Sequence, residues 1–140
     1  MESEKRPPSG QLPCVEKPWG FYIDYFRNDK VVFKKLVVMP DEMLSYQYHE
    51  FRDEVWYVES GRGLFTHGSN AQREDMAEDG ITTSEEVNID PDTWMIISKE
   101  HRHTVKCVSK QPLVIYEMQM GRPSEDDIVR LEDIYGRTEE

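Results

Sequence analysis

Apolar and polar positions alternate along much of this chain with the period of a β-strand, in short runs broken by turn residues. Residues 31–39 are dominated by β-branched side chains and predict a core strand despite Lys34 and Lys35 at their middle. Neighbouring strand residues face opposite ways, so one of these lysines is directed inward, where it needs a carboxylate or a substrate phosphate as partner. Over residues 44–49 the same period puts Gln47 and His49 on one face. Over residues 54–59 Glu54, Trp56 and Val58 share a face opposite Val55 and Tyr57, and Gly61 and Gly63 then permit a tight turn. Residues 87–91 and 94–97 add two short strands. Another covers 103–108, where His103, Val105 and Cys107 share a face and Cys107 is a small core residue. In residues 113–120, Leu113, Ile115, Glu117 and Gln119 line one face and Val114, Tyr116, Met118 and Met120 the other, and both faces are expected to be largely covered.

The remaining segments lack this pattern. Residues 1–16 hold Pro7, Pro8, Ser9, Gly10 and Pro13 among charges, a composition that predicts a flexible tail. The folded part begins at residue 17, just before Pro18-Trp19-Gly20, and residues 17–140 read as a single domain. Residues 68–86 are polar and without period, which predicts a surface loop with His67 solvated at its edge. Residues 124–136 open on Ser124, carry acidic residues in the first turn and end on Gly136, the signature of a short C-terminal helix. Many short strands and this one helix argue an all-β barrel or sandwich.

The charge balance narrows the partners. With 28 acidic against 17 basic side chains the net charge is -11, which repels nucleic-acid backbones and anionic membranes. An anionic substrate therefore requires local Lys and Arg. Cys14 and Cys107 lie in dissimilar contexts, so no disulfide framework is expected. Residues 1–8 are charged and lack the apolar core of a signal peptide, and no apolar run approaches a membrane span, so a cytoplasmic location is the expectation.

Metal-ligand residue types gather at Gln47, His49 and Glu54, with His103 and His101 in a second strand-like run. The spacing of His49, Glu54 and Gly61 resembles the first motif of cupins, His-x-His-(three or four x)-Glu-(six x)-Gly, with Gln47 in the first His slot. Residues 98–103 resemble the second motif, Pro-x-Gly-x-x-His, with Ser98 and Glu100 in the Pro and Gly slots. That count makes His103 the implied fourth ligand and leaves His101, one strand step away on the same face, as its rival.

A narrower resemblance rests on Lys17-Pro-Trp-Gly20, on Leu44-Ser-Tyr-Gln47-x-His49-x-x-Arg52-x-Glu54-x-Trp56, and on an ending from Glu117-x-Gln119-x-Gly121 through Glu125-Asp-Asp-Ile-Val-Arg130 to Tyr135-Gly-Arg137. These strings are similar to the cupin domain of type II mannose-6-phosphate isomerases, the C-terminal part of bifunctional guanylyltransferase/isomerases. The resemblance implies a double-stranded β-helix, or jelly-roll barrel. It implies a divalent metal held by Gln47, His49, Glu54 and His103, zinc first and manganese, iron, cobalt or nickel as alternatives. It implies an aldose-ketose isomerase acting on a sugar phosphate, mannose 6-phosphate/fructose 6-phosphate above others, in polysaccharide precursor metabolism. Arg52 and Lys34 are candidates for the enediolate or phosphate; Glu117 and Gln119 could face the pocket, and Glu117, Lys34 and His101 are the candidates for the base. A homodimer is a further expectation from the cupin likeness. The guanylyltransferase half has no counterpart here, and the alternative reading is a non-catalytic sugar or nucleotide-sugar binding module that partners a separate guanylyltransferase; a weaker third is a cupin oxygenase or epimerase. The chain departs from the family at Phe51 (a His), Val55 (a His), Asp41 (a Gly), Ser98, Glu100 and Cys107 (an Asn), and the Phe51 ring is expected on the face of Gln47 and His49.

Overall fold

A computed structural model describes residues 12–70 and 84–136 of the chain. The described residues form eleven strands: β1 (Cys14–Lys17), β2 (Gly20–Arg27), β3 (Val31–Val38), β4 (Tyr46–Tyr48), β5 (Arg52–Ser60), β6 (Gly63–Asn70), β7 (Ser84–Ile89), β8 (Trp94–Ile97), β9 (His101–Cys107), β10 (Leu113–Gly121) and β11 (Val129–Glu132). They assemble into a six-stranded sheet of order β1-β2-β3-β10-β5-β8 and a five-stranded sheet of order β11-β4-β9-β6-β7, antiparallel throughout. This is the cupin double-stranded β-helix.

Period-two patterning decides what the two sheets enclose. From the first sheet Leu36, Val38, Trp56, Val58, Ile97, Leu113 and Ile115 turn inward to meet Phe65, Ile89, Val105 and Cys107 of the second. Each fully buried aliphatic side chain contributes about 1.5–3 kcal/mol over its exposed state, enough to hold the sheets face to face. Two glycines set close approaches. A Cβ on Gly20 would lie 2.0 Å from the Val37 carbonyl oxygen across the β2–β3 pair, and one on Gly61, at φ 79°, would lie 2.3 Å from that of Pro112.

The strand runs read from the sequence are present, with differences at their margins. β1 pairs with β2 from Cys14 onward, so the folded part starts three residues before the expected boundary at residue 17. Residues 1–11 of the expected tail lie outside the described residues. β6 and β7 extend to Asn70 and back from Ser84, which shortens the expected 68–86 loop from both ends; residues 71–83 lie outside the described residues. His67 is half-buried in β6, with its ring stacked on His101 at 5.2 Å between centroids, and is not simply solvated.

The C-terminal segment is a correction. No helix forms over residues 124–136. Ser124 does cap a turn, its Oγ and carbonyl accepting from the Asp126 and Asp127 amides. The Asp127 carboxylate then accepts from the backbone amides of Glu50 and Phe51, and β11 pairs with β4. Four unpaired N–H groups at one helix end, four unpaired carbonyls at the other and a short length make an isolated helix here marginal, whereas the edge of β4 supplies ready partners. Tertiary pairing overrides the local signal.

Candidate metal centre and adjoining pocket

At one end of the barrel the inward positions change from apolar to polar. β9 supplies His103, β5 supplies Arg52 and Glu54, β10 supplies Glu117 and Gln119, β3 supplies Lys34, and β4 with the turn after it supplies Gln47 and His49; all eight are buried. His49, Glu54 and His103 converge so that one ligand atom of each lies within 4.8 Å of the others. His49 Nε2 is 3.3 Å from Glu54 Oε2, and His103 Nε2 is 3.9 Å from Glu54 Oε1.

Backbone carbonyls set both imidazole tautomers. His49 Nδ1 donates to the Asp127 carbonyl (2.6 Å) and His103 Nδ1 to the His101 carbonyl (2.9 Å). A carbonyl only accepts, so each ring carries its proton on Nδ1 and presents the Nε2 lone pair to the centre, the arrangement a metal-ligating histidine needs. Burial, with Arg52 and His103 adding to it, lowers the His49 pKa to about 3, so the ring is neutral at physiological pH. The donor set, two imidazoles and one carboxylate, suits a divalent cation such as zinc. Gln47 stands across from His103 in the β4–β9 pair, with its amide nitrogen donating to Ser45 O and Oγ. Its carbonyl oxygen is the atom with which it could ligate. His101 does not join the triad; its Nε2 is 3.1 Å from His67 Nδ1.

Arg52 closes the triad from the side. Its Nε donates to Glu54 Oε2 (2.8 Å), Nη2 to His49 Nε2 (3.2 Å) and Nη1 to the Ser124 carbonyl (3.0 Å). Burial alone would raise the Glu54 pKa, but Arg52 and then His103 reverse this and keep the carboxylate below its ordinary value. Trp56 Nε1 bridges the two inward carboxylates, donating to Glu54 Oε1 (3.0 Å) and Glu117 Oε2 (2.9 Å), while Gln119 Nε2 donates to Glu117 Oε1 (2.9 Å). Burial and the neighbouring Glu54 charge push the Glu117 carboxyl up to about 7. One carboxylate stays ionised and the other, Glu117, gains and loses its proton near neutrality.

A cavity of about 150 Å³ opens beside Glu117, with Lys34, Arg52, Gln47 and Arg130 among its walls. The inward lysine is Lys34, and its partner is the Glu125 carboxylate at 2.8 Å, which also accepts from Arg27 (2.7 Å). Phe51 is not on the wall. Its ring is 49% exposed and lies 5.0 Å from the Arg122 guanidinium, because the Asp127 cap on the Glu50 and Phe51 amides breaks the alternation after His49. Three participants carried no site signal of their own: Asp127 and Glu125, read as the first turn of a helix, and the bridging indole of Trp56. The Glu125-Asp-Asp127 string, specific as it is, was the available signal.

The family described as mannose-6-phosphate isomerase C-terminal matches residues 9–133. The chain belongs to that family. The xanthan biosynthesis protein XanB of Xanthomonas campestris pv. campestris is 35% identical over 125 residues, which cover 89% of this chain and 24% of XanB. The alginate biosynthesis protein AlgA of Pseudomonas aeruginosa is 35% identical over 127 residues, 90% of this chain and 23% of AlgA. Mannose-1-phosphate guanylyltransferase ManC of Salmonella typhimurium is 31% identical over 125 residues, 88% and 23% of the respective chains. The chain thus spans about a quarter of the length of these curated relatives. Solved structures share the fold at low identity: capsular polysaccharide assembling protein CapF of Staphylococcus aureus at TM-score 0.71 and 13% identity (91% of this chain, 37% of that one), and oxalate decarboxylase of Bacillus subtilis at 0.68 and 11% (86% and 30%).

Proposed function

We propose that the chain interconverts an aldose phosphate and a ketose phosphate, with mannose 6-phosphate and fructose 6-phosphate as the leading pair. The observation that carries the reading is one cavity walled by two buried cations, Lys34 and Arg52, and the Glu117 carboxyl, with Arg52 itself hydrogen-bonded to His49 and Glu54 of the triad. Moving a proton between C1 and C2 through an enediolate needs a base, a stabiliser for the oxygens and an anchor for the phosphate. Glu117 is the base, oriented by the Trp56 and Gln119 N–H groups. Arg52 faces the enediolate side. Lys34 takes the phosphate in exchange for Glu125, whose acceptor oxygen already occupies that position. A divalent cation on His49, Glu54 and His103, with Gln47 as fourth ligand, would polarise the sugar oxygens; zinc leads, with manganese, iron, cobalt and nickel as alternatives. The reading carries a cytoplasmic role in polysaccharide precursor supply, in line with the names of XanB and AlgA.

The test is turnover of mannose 6-phosphate by the purified chain with and without added divalent metal. Fructose 6-phosphate is expected only in the loaded sample. A fully loaded chain that produces none sinks the proposal. One observation favours a second reading, a non-catalytic sugar-binding module alongside a separate guanylyltransferase: Arg52 already satisfies His49 Nε2 and Glu54 Oε2 without a cation. Calorimetry then shows sugar-phosphate binding that is independent of metal and accompanied by no turnover.

A further inference from the structure

Two further histidines meet at the polar end of the barrel, outside the triad. Period two puts His67 on the inward side of β6 with Phe65, and His101 on the inward side of β9 with His103, and both rings keep part of their surface in solvent. Direct register does not set them opposite each other. His67 stands across from His103 and Asn70 across from His101, so β6 holds one more residue than β9 over this stretch. A bulge of this kind re-aims the side chains beside it. Here it leaves His67 Nδ1 3.1 Å from His101 Nε2, with 29° between the two ring planes and the buried Phe65 ring stacked on His67 at 5.6 Å. Behind His67, Nε2 lies 3.5 Å from the carboxylate of Glu85, its cross-strand partner on β7.

One hydrogen bond between the rings would satisfy the two facing nitrogens, but the arrangement also has the parts of a metal clamp. Two imidazole nitrogens bound to one tetrahedral ion at about 2.0–2.1 Å stand about 3.3 Å apart, so the pair opens by only about 0.2 Å to admit the ion. A ligating histidine ordinarily has its other ring nitrogen on a carboxylate or carbonyl, and Glu85 stands in that place for His67. We infer that His67 and His101 form a second metal site, which takes a divalent transition ion through His67 Nδ1 and His101 Nε2 with solvent completing the shell. The ion replaces the proton between the rings, which neutral His101 carries on Nδ1 instead. Nitrogen donors select zinc, copper or nickel over magnesium and calcium. The pair shares no ligand with the triad, although the His101 carbonyl accepts from His103 Nδ1. Two protein ligands hold an ion more loosely than three, so the pair fills in excess ion and empties when the excess is removed.

Calorimetric titration of the full chain with zinc, after loading with zinc and desalting, tests the inference. The wild type is expected to take up one further ion per chain, and magnesium in its place to give no uptake. His67→Ala and His101→Ala, with unchanged far-UV circular dichroism, are expected to lose this uptake and to keep the ion retained through desalting. Glu85→Gln is expected to weaken the uptake about tenfold, the low end for a carboxylate behind a ligand, since Glu85 is 78% exposed. A wild type that takes up no further zinc overturns the proposal, as does uptake that survives in folded His67→Ala and His101→Ala, which would assign it to surface carboxylates. A chain that retains nothing through desalting but binds one ion through His67 and His101 upholds the pair and fails the triad.

Discussion

The barrel interior has two ends built by the same four strands. Along β10 the inward positions read Leu113, Ile115, Glu117 and Gln119; along β5, from its end, Val58, Trp56, Glu54 and Arg52; along β9, from its end, Cys107, Val105 and His103; along β3, from its end, Val38, Leu36 and Lys34. Backbone, pairing and burial are alike at both ends, and only side-chain chemistry changes. The apolar end is stabilised by leaving water. The polar end loses hydration on burial and is offset only by hydrogen bonds and ion pairs arranged so that nearly every group has a partner. The lesson is that the site is an extension of the core, held by the core's own registers.

Substitutions that act on one end alone test this division. The largest effect is expected at the triad: His103→Ala should take the chain from about one bound divalent ion to none, with His101→Ala keeping it, by elemental analysis after reconstitution. The opposite pattern would move the fourth ligand to His101. Next come two neighbours on one strand face. Ile115→Ala should lower unfolding stability by about 2–5 kcal/mol with metal content unchanged, whereas Glu117→Gln should leave the denaturant midpoint near wild type and reduce turnover roughly a hundredfold. If Glu117→Gln unfolds the protein as Ile115→Ala does, the two ends are not separable.

Smaller effects sit at the margins. Burial would raise the Glu125 pKa, but Lys34 and Arg27 hold it down to about 2, against an ordinary 4.5. A depressed folded-state pKa gives stability that is present above about 4.5 and lost as pH falls through about 2. Glu125 is 44% exposed, so solvent screening reduces its share to about 1 kcal/mol. Glu125→Gln should be less stable than wild type by that amount at pH 7, with the two curves converging in acid. Glu100 stands in the Gly slot of the second motif at φ 69°, a left-handed conformation that burdens a residue with a Cβ. Glu100→Gly should therefore raise stability by up to about 1 kcal/mol. Phe51→His, on an exposed ring away from the cavity, should change turnover by no measurable factor.

The strands were legible because they depend on short-range pattern, and the candidate triad because its spacing resembles the two cupin motifs. Period two placed Glu54 inward with Trp56, placed Glu117 with Gln119, and required a partner for one of Lys34 and Lys35. The remainder depended on contacts distant in sequence. Asp127 holds the turn after His49 from 77 residues away, and nothing local distinguishes that role from the first turn of a helix. Phe51 was assigned to the site by counting through a turn that the Asp127 carboxylate bends. Asp41, which like Glu100 stands in a Gly slot of the motif it resembles, is in the left-handed backbone region that favours glycine, at φ 68°.

The distribution of the three tryptophans has an optical consequence. Trp56 is wholly buried with its indole N–H on Glu54 and Glu117, Trp19 lines the cavity, and Trp94 stands 68% exposed on the outer sheet. In three environments they would report different events: quenching of Trp56 would follow a paramagnetic ion such as cobalt or nickel placed at the triad, a change in Trp19 would follow filling of the cavity, and a blue shift of Trp94 would follow anything that covers the outer sheet. Replacing two of the three with phenylalanine isolates each signal without an added label.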